Sequence, residues 1–169
     1  WAKRVTTFQG DSGSEVEVDA AGNVYVTGIS QNGPQGGSED VLTIKYDAAG
    51  NQMWQNRYNP PTDDSDEGYE IEIDANGDVY VLGTIYDLGN PTQTFIQKID
   101  GAGGTTTWIK TFLVPNSFDG TIPTAMKLDN QGNIVVTGMT NLSGGFYHVD
   151  VFTAKFDSAG ELKWVKNYV

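Results

Sequence analysis

The chain has 169 residues, a formal net charge of −12 and no cysteine. That length suits one domain, and the excess of acidic residues argues against nucleic acid and anionic membrane surfaces, whose phosphates attract clustered Lys and Arg. The absence of cysteine excludes disulfides, thiolate metal sites and cysteine nucleophiles. No apolar run approaches the ~18–20 residues of a membrane-spanning helix, so membrane insertion is not expected.

The glycines are periodic, and two short units alternate along the chain. The first, Asp-x-x-Gly-x-(Val/Ile)-x-Val-x-Gly, begins at Asp19, Asp74 and Asp129, with a period of 55 residues. The second is Lys-x-Asp-x-x-Gly followed by a Trp, and it begins at 45, 98 and 155. All four Trp of the chain occupy the same position of this second unit: Trp1, Trp54, Trp108 and Trp164. Three copies at one spacing indicate a repeat protein.

Both units are typical of tight hairpin turns. Asp suits the first turn position because its carboxylate accepts backbone N–H groups, and Gly suits the last because φ is positive there. Apolar and polar residues alternate in the flanks, as in Glu15-Val16-Glu17-Val18, and helical periodicity is absent. Each repeat therefore predicts four short strands, which in the first repeat are about 14–19, 23–29, 40–46 and 52–58.

Four antiparallel strands in each repeat of ~50 residues are typical of a β-propeller blade. A stacked β-solenoid is the alternative, although solenoid coils are usually shorter and do not need two tight hairpins each. We predict an all-β fold: a β-propeller of three four-stranded antiparallel blades plus one extra strand, which makes a partial ring. Residues 1–169 form a single propeller segment, with repeats at 1–51, 52–105 and 106–161 and the start of a fourth at 162–169.

The repeat also predicts the core. We expect Trp54, Trp108 and Trp164 to be buried between blades and φ to be positive at the turn glycines. The inner strands are predicted to carry Val16, Val18, Ile71, Ile73, Met126 and Leu128. Because three blades cannot close a ring, we expect 1–169 to be a segment of a longer exported propeller, joined by further blades in cis or by a second copy.

The segment Asp19-Ala-Ala-Gly-Asn-Val-Tyr-Val-Thr-Gly28, followed by Thr43 to Trp54, resembles the SBBP-type bacterial β-propeller repeat. Both half-motifs occur in order three times, so the resemblance covers nearly all of the chain. It departs at Ile122-Pro123-Thr124 in the third copy, and at Gly103-Gly104 the second copy has an extra turn residue. Such repeats resemble modules of large exported bacterial proteins. The resemblance implies a propeller and an extracellular setting, and it implies no catalytic residues.

A binding site is expected on the face opposite the tight turns, where the longer loops lie. These are the long loops 29–39, 84–94 and 139–149 and the inter-blade loops 9–13, 59–68 and 114–121. The predicted ligand-binding residues on this face are Tyr86, Asp87, Phe146, Tyr147 and His148. Their rings could form a platform for a sugar or a peptide, or they could simply cover blade edges.

The acidic run after Pro60-Pro61 is a second candidate. Carboxylate oxygens are the ligands that Ca²⁺ prefers, so we consider a calcium site formed by Asp63, Asp64, Asp66 and Glu67. The spacing departs from a regular calcium loop, and the alternative is a solvated acidic loop. No other cofactor is expected.

Two functions remain open at this point. The first is a non-catalytic module, extracellular or at the cell surface, for structural spacing or for binding protein or carbohydrate. The second is a polysaccharide-active enzyme, a glycosidase or a lyase, on a propeller scaffold. The sequence offers many carboxylates and no distinctive catalytic partner for them, so it favours the binding module.

Overall fold

The computed structural model describes residue 2 and residues 10–31, 38–60, 65–118, 120–140 and 149–168. These residues form twelve strands and no helix, so no helix among them is long and apolar enough to cross a membrane. The strands are β1 (Ser12–Val18), β2 (Val24–Gln31), β3 (Glu39–Tyr46), β4 (Gln52–Tyr58), β5 (Asp66–Ile73), β6 (Val79–Ile85), β7 (Gln93–Ile99), β8 (Thr106–Phe112), β9 (Thr121–Leu128), β10 (Ile134–Thr140), β11 (Asp150–Phe156) and β12 (Leu162–Tyr168).

The strands form three separate antiparallel sheets of four consecutive strands each. We name them blade 1 (β1–β4), blade 2 (β5–β8) and blade 3 (β9–β12). The first strand of blade 2 packs against β1, β2 and β3, and the first strand of blade 3 packs against β5, β6 and β7. The blades are therefore stacked in chain order with their first strands innermost, which is the arrangement of a propeller.

This confirms the predicted fold class of four-stranded antiparallel blades, and the described residues do not close a ring. The strand predicted at 162–169 as the start of a fourth repeat is β12, which is the last strand of blade 3. Of the first nine residues, only residue 2 belongs to the described part of the chain. Each sheet ends with the Trp-bearing strand, as do the four strands predicted for the first repeat, whereas the predicted repeat bounds 1–51, 52–105 and 106–161 begin with it. The two divisions of the chain therefore differ in phase by one strand.

The tight turns have the predicted geometry. At Asp19 the carboxylate accepts the backbone N–H groups of Ala21 and Asn23, both at 2.9 Å, and Gly22 N–H donates to the Asp19 carbonyl oxygen. The glycines that close the turns have positive φ: Gly22 (80°), Gly50 (83°), Gly77 (86°), Gly132 (75°) and Gly160 (79°). In the turn with the extra residue, Gly104 takes this conformation at 73°.

The core consists mainly of two apolar clusters, one at each junction between blades. The cluster between blades 1 and 2 contains Tyr25, Trp54, Ile71, Val81 and Phe95 among others. The cluster between blades 2 and 3 contains Tyr80, Leu82, Phe112, Met126, Phe152 and Phe156 among others. Side chains of the middle strands alternate between the two junctions, because successive strand residues point to opposite faces of a sheet.

The burial predicted for the Trp residues is correct for one of the three. Trp54 is 8% exposed, Trp108 is partly buried, and Trp164 is 41% exposed. The prediction is wrong for Trp164 because its burial requires a blade beyond β12, and no described residue occupies that place. Val16 and Val18 lie on β1 as expected, but both side chains are exposed.

Candidate functional site

The innermost strand of every blade contains a β-bulge at the same repeat position. The bulged residues, opposite which the partner strand has no residue, are Ser14, Tyr69 and Thr124. A glycine of the second strand faces each bulge, and a Cβ on that glycine would collide with a carbonyl oxygen of the first strand. These glycines are Gly28, Gly83 and Gly138. A bulge changes the direction of the side chain that it carries, so the residue at this position determines which side chain lies next to the long loop of its blade.

In blade 2 the bulge carries a tyrosine that organises a polar chain. Tyr69 Oη donates to Glu67 Oε2 at 2.6 Å, and Thr84 Oγ1 donates to Tyr69 Oη at 3.2 Å. The hydroxyls of Tyr69 and Tyr86 also interact. Four side chains from β5, β6 and the following loop thus meet on the long-loop face. Burial and the hydrogen bond to Glu67 raise the pKa of Tyr69 well above its usual range, so the hydroxyl stays protonated.

A groove lies beside this chain. It has a volume of about 310 Å³, and its lining residues are Ser65, Tyr86, Asp87, Leu88, Asn90 and Thr92. One edge is a tight turn in which Asn90 donates its backbone N–H to the Asp87 carbonyl oxygen and its side-chain N–H to Asp87 Oδ2. Gly89 has φ of 90° in this turn, and Leu88 at its tip is 89% exposed. The groove therefore combines an aromatic ring, an exposed apolar side chain and several oxygen and nitrogen groups.

Among the described residues, the polar chain belongs to blade 2 alone. The residues at the positions of Glu67, Tyr69 and Thr84 are Ser12, Ser14 and Ile29 in blade 1, and Ile122, Thr124 and Met139 in blade 3. The two other blades fold without these groups, so the repeat fold does not require them. A departure from the repeat on a loop-bearing face is evidence of a role other than folding.

The structure describes some of the residues predicted to bind a ligand. Tyr86 and Asp87 line the groove, whereas Phe146, Tyr147 and His148 lie outside the described residues. Sequence reasoning missed Tyr69 and Thr84. A comparison of the three repeats at the bulge position would have found Tyr69, because it replaces a serine and a threonine there.

The predicted calcium residues are also partly described. Asp63 and Asp64 lie outside the described residues, Asp66 is buried at the start of β5, and Glu67 accepts the Tyr69 hydroxyl. Within the described ranges, no group of three or more His, Cys, Asp or Glu side chains is placed to hold a metal ion. The calcium site therefore stays a prediction.

Acidic side chains also line the innermost strands. Burial, followed by the charge of Glu15, raises the pKa of Glu70, and Glu72 forms an ion pair with Lys127 of blade 3. A second groove of about 510 Å³ lies between the turns that begin at Asp19 and Asp74, and Glu17 and Glu72 line it. The carboxylates of Asp19 and Asp74 accept hydrogen bonds from backbone N–H groups of their own turns, so their role in the turns explains their presence beside this groove.

The comparisons with known proteins add little to this description. No family model matches the chain, and no curated protein matches it. Among solved structures, the chain is similar to a crystal structure of a protein of unknown function from Bacteroides caccae. The two share 11% sequence identity with a TM-score of 0.46, over 95% of this chain and 83% of the other.

Proposed function

We propose that this protein is a non-catalytic, extracellular β-propeller module of the SBBP type that binds a neutral glycan on the long-loop face of blade 2. The observation that carries the proposal is a polar chain that, within the described part of the structure, occurs in one blade and lies beside a groove; it consists of Glu67, Tyr69, Thr84 and Tyr86. Of this polar chain only Tyr86 lines the groove, beside the hydroxyls of Ser65 and Thr92. Hydroxyls next to an aromatic ring are groups that hydrogen-bond sugar hydroxyls and stack on the apolar face of a sugar ring.

Charge supports a neutral ligand. The chain has a net charge of −12, and Glu67 and Asp87 lie at or beside the groove. An anionic glycan would be repelled by this field, whereas a neutral glycan would not. A peptide ligand is the alternative, and the exposed Leu88 is compatible with it.

The pKa of Tyr69 favours binding over catalysis at this site. A tyrosine that acts as a nucleophile needs a lowered pKa, and burial together with the hydrogen bond to Glu67 raises the pKa of Tyr69. The single O–H of the protonated tyrosine donates to Glu67 Oε2, so Tyr69 orders the polar chain and does not attack a substrate.

Affinity electrophoresis tests the proposal. The protein is run in gels that contain neutral polysaccharides (a β-glucan, a xylan, a galactomannan) or the anionic polysaccharide alginate. We expect at least one neutral polysaccharide to retard it and alginate not to. Tyr86→Ala should abolish the retardation, and Gln31→Ala, at the matching position of blade 1, should leave it unchanged. Retardation by none of the neutral polysaccharides, or equal retardation of the Tyr86→Ala variant, would overturn the glycan assignment.

Two further measurements test the extracellular location and the predicted calcium site. Protease added to intact cells of the source organism should degrade the native protein if it is extracellular, and full protection would contradict that location.

If Ca²⁺ binds the 59–68 loop, calcium chloride should raise the midpoint of thermal unfolding and EDTA should reverse the rise. An unchanged midpoint would contradict the predicted calcium site.

A further inference from the structure

In blades 1 and 2, the Trp of the outer strand lies on a turn of the next blade. The Trp54 indole N–H donates to the Gly101 carbonyl oxygen at 3.0 Å, and the Trp54 ring lies close to Gly104 in the same turn. One junction later, the Trp108 ring lies close to Gly160, in the corresponding turn of blade 3. The contact is directional, because the ring always belongs to the earlier blade and the turn to the later one.

A polar residue two positions after the Trp makes a second contact across each junction. Asn56 Nδ2 donates to the Gly104 carbonyl oxygen at 2.9 Å and to Thr106 Oγ1 at 3.1 Å. In the next junction Lys110 occupies this position, and its Nζ lies 2.6 Å from Glu161 Oε1. Glu161 is the residue directly after the turn glycine. The residue at this position therefore matches its partner on the next turn: an amide faces neutral oxygens, and an amine faces a carboxylate.

Blade 3 presents the same set of positions to solvent. Trp164, Lys166 and Tyr168 point away from blade 2, on the side opposite Phe152 and Ala154. Tyr168 is 80% exposed, whereas Phe112, at the same position of blade 2, is 7% exposed. We call this surface the open face of blade 3; its exposed apolar members include Met139, Val151, Trp164 and Tyr168.

We propose that the open face of blade 3 is a docking surface for one further blade of the same repeat, joined in cis. The Asp-x-x-Gly turn of that blade would receive Trp164, and the residue after its turn glycine would be Glu or Asp, which pairs with Lys166. Two observations carry the inference: continuity with the two junctions already formed, and charge complementarity at the position of Lys110 and Glu161. The proposal does not depend on glycan binding by blade 2.

A second copy of this chain fits the open face less well. The surface that it would offer is the side of blade 1 opposite blade 2, where Leu42, Ile44 and Tyr46 are already buried. Gly50, the turn glycine that Trp164 would have to reach, is buried as well. The residue after Gly50 is Asn51, which offers no charge to Lys166. Because these apolar side chains are already buried, this side of blade 1 offers little free apolar surface to a second copy.

The test extends the full chain by one repeat. A copy of residues 114–169 is joined after Val169, so that the added turn carries the Gly-Glu pair of Gly160 and Glu161. The chains are labelled with 5-fluorotryptophan and Trp164 is observed by ¹⁹F NMR. Its resonance is assigned by comparison with the Trp164→Phe variant. The Trp of the added copy is replaced by Phe, so that it gives no signal of its own. In the 169-residue chain we expect a large H₂O/D₂O isotope shift for Trp164, and in the extended chain we expect that shift to be lost.

A charge swap tests the pairing. In the extended chain, Lys166→Glu in the original strand should restore the isotope shift, and Glu161→Lys in the added copy should remove it again. Far-ultraviolet circular dichroism per residue shows whether the added repeat is folded. The proposal is overturned if Trp164 keeps its isotope shift in an extended chain whose signal per residue equals that of the 169-residue chain. A swap without effect refutes the role of Lys166. If the 169-residue chain sediments as a dimer that Lys166→Glu dissociates, a second copy is the occupant and the proposal fails.

Discussion

Trp54 is the largest side chain at the first junction, and its surroundings show how one residue joins two blades. Its ring packs edge-to-face against Tyr25 with centroids 6.1 Å apart, and its indole N–H donates to Gly101 of the next blade. Lys45 Nζ donates to the same carbonyl oxygen at 2.9 Å. Removal of this ring would leave a cavity in the junction and take one of two donors from that oxygen.

We expect Trp54→Ala to lower the free energy of unfolding by about 3–5 kcal/mol, because a fully packed aromatic ring is lost. Trp164→Ala, at the same repeat position, should lower it by less than about 1 kcal/mol, because the Trp164 side chain is partly exposed. Urea unfolding followed by circular dichroism measures both values. Equal losses in the two variants would show that the open face of blade 3 is covered in solution.

The glycines that face the bulges are needed for a different reason from the turn glycines. Gly83→Ala should cost about 2–3 kcal/mol, because the new Cβ would collide with the Glu67 carbonyl oxygen and press on the Phe95 ring. Gly77→Ala should cost about 1 kcal/mol, because its φ is 86° while no heavy atom lies within 4 Å of the added Cβ. Chemical unfolding measures the free energy lost in each variant, from a steric collision in Gly83→Ala and from backbone strain in Gly77→Ala. A larger loss for Gly77→Ala would contradict the expected order.

At the scale of the element, the Asp-x-x-Gly turn combines a backbone geometry with a charge. Hydrogen bonds from Lys155 and Asn133 lower the pKa of Asp129 below its usual range, and a hydrogen bond from Lys163 lowers that of Asp157. A lowered pKa means that the folded state binds the proton less readily than the unfolded state. These carboxylates therefore contribute stability above the unfolded pKa of about 4, and that contribution is lost as the pH falls through the folded pKa.

We expect the free energy of unfolding to decrease as the pH is lowered from about 5 towards 2, and Asp129→Asn to reduce the size of that decrease. The variant should be less stable than the unsubstituted protein at pH 7, since it loses the charge that pairs with Lys155. Urea unfolding at a series of pH values measures both effects. An acid-induced decrease as large in Asp129→Asn as in the unsubstituted protein would exclude this carboxylate as a source.

The turns and the strand alternation made the blades predictable from sequence, since both depend on local chemistry. The four strands predicted for the first repeat agree within two residues with β1 to β4 at every end. The bulge was not predicted, because it is a property of pairing between two strands. Tyr69 is therefore not among the predicted site residues, whereas Tyr86 and Asp87, predicted from their loop position and from the aromatic cluster, do line a groove. The exposure of Trp164 depends on a neighbouring blade, which its own strand does not encode.

At the scale of the whole molecule, negative charge is concentrated where the innermost strands meet. Burial and the nearby charge of Glu15 raise the pKa of Glu70, and Lys127 provides the opposing charge from β9. Lys127 replaces the glutamates found at its position in the other repeats, Glu17 and Glu72, and it pairs with Glu72. The arrangement of three blades thus brings like charges together and offsets them with one lysine.

Glu70→Gln should raise the free energy of unfolding at pH 7, because it removes a charge whose folded pKa lies above its unfolded value. The gain should disappear as the pH falls through the folded pKa, since Glu70 is then protonated in the unsubstituted protein as well. Glu72→Gln is the matched control, because it breaks the pair with Lys127 and should give no gain. Unfolding at pH 7 and at pH 4 separates the two variants, and a loss of stability in Glu70→Gln would contradict the expected sign.

The directional contact between each Trp and the following turn also bears on how such a chain changes in evolution. Every junction uses the same repeat positions, and each blade contacts its neighbours rather than distant blades. Unequal recombination that adds or deletes one 55-residue period would therefore keep the Trp-to-turn contact at the new junction, and the residue two positions after the Trp would meet a new partner. Blade number can change in a single genetic step, whereas the side chains that distinguish blade 2 are gained or lost as a unit with that blade.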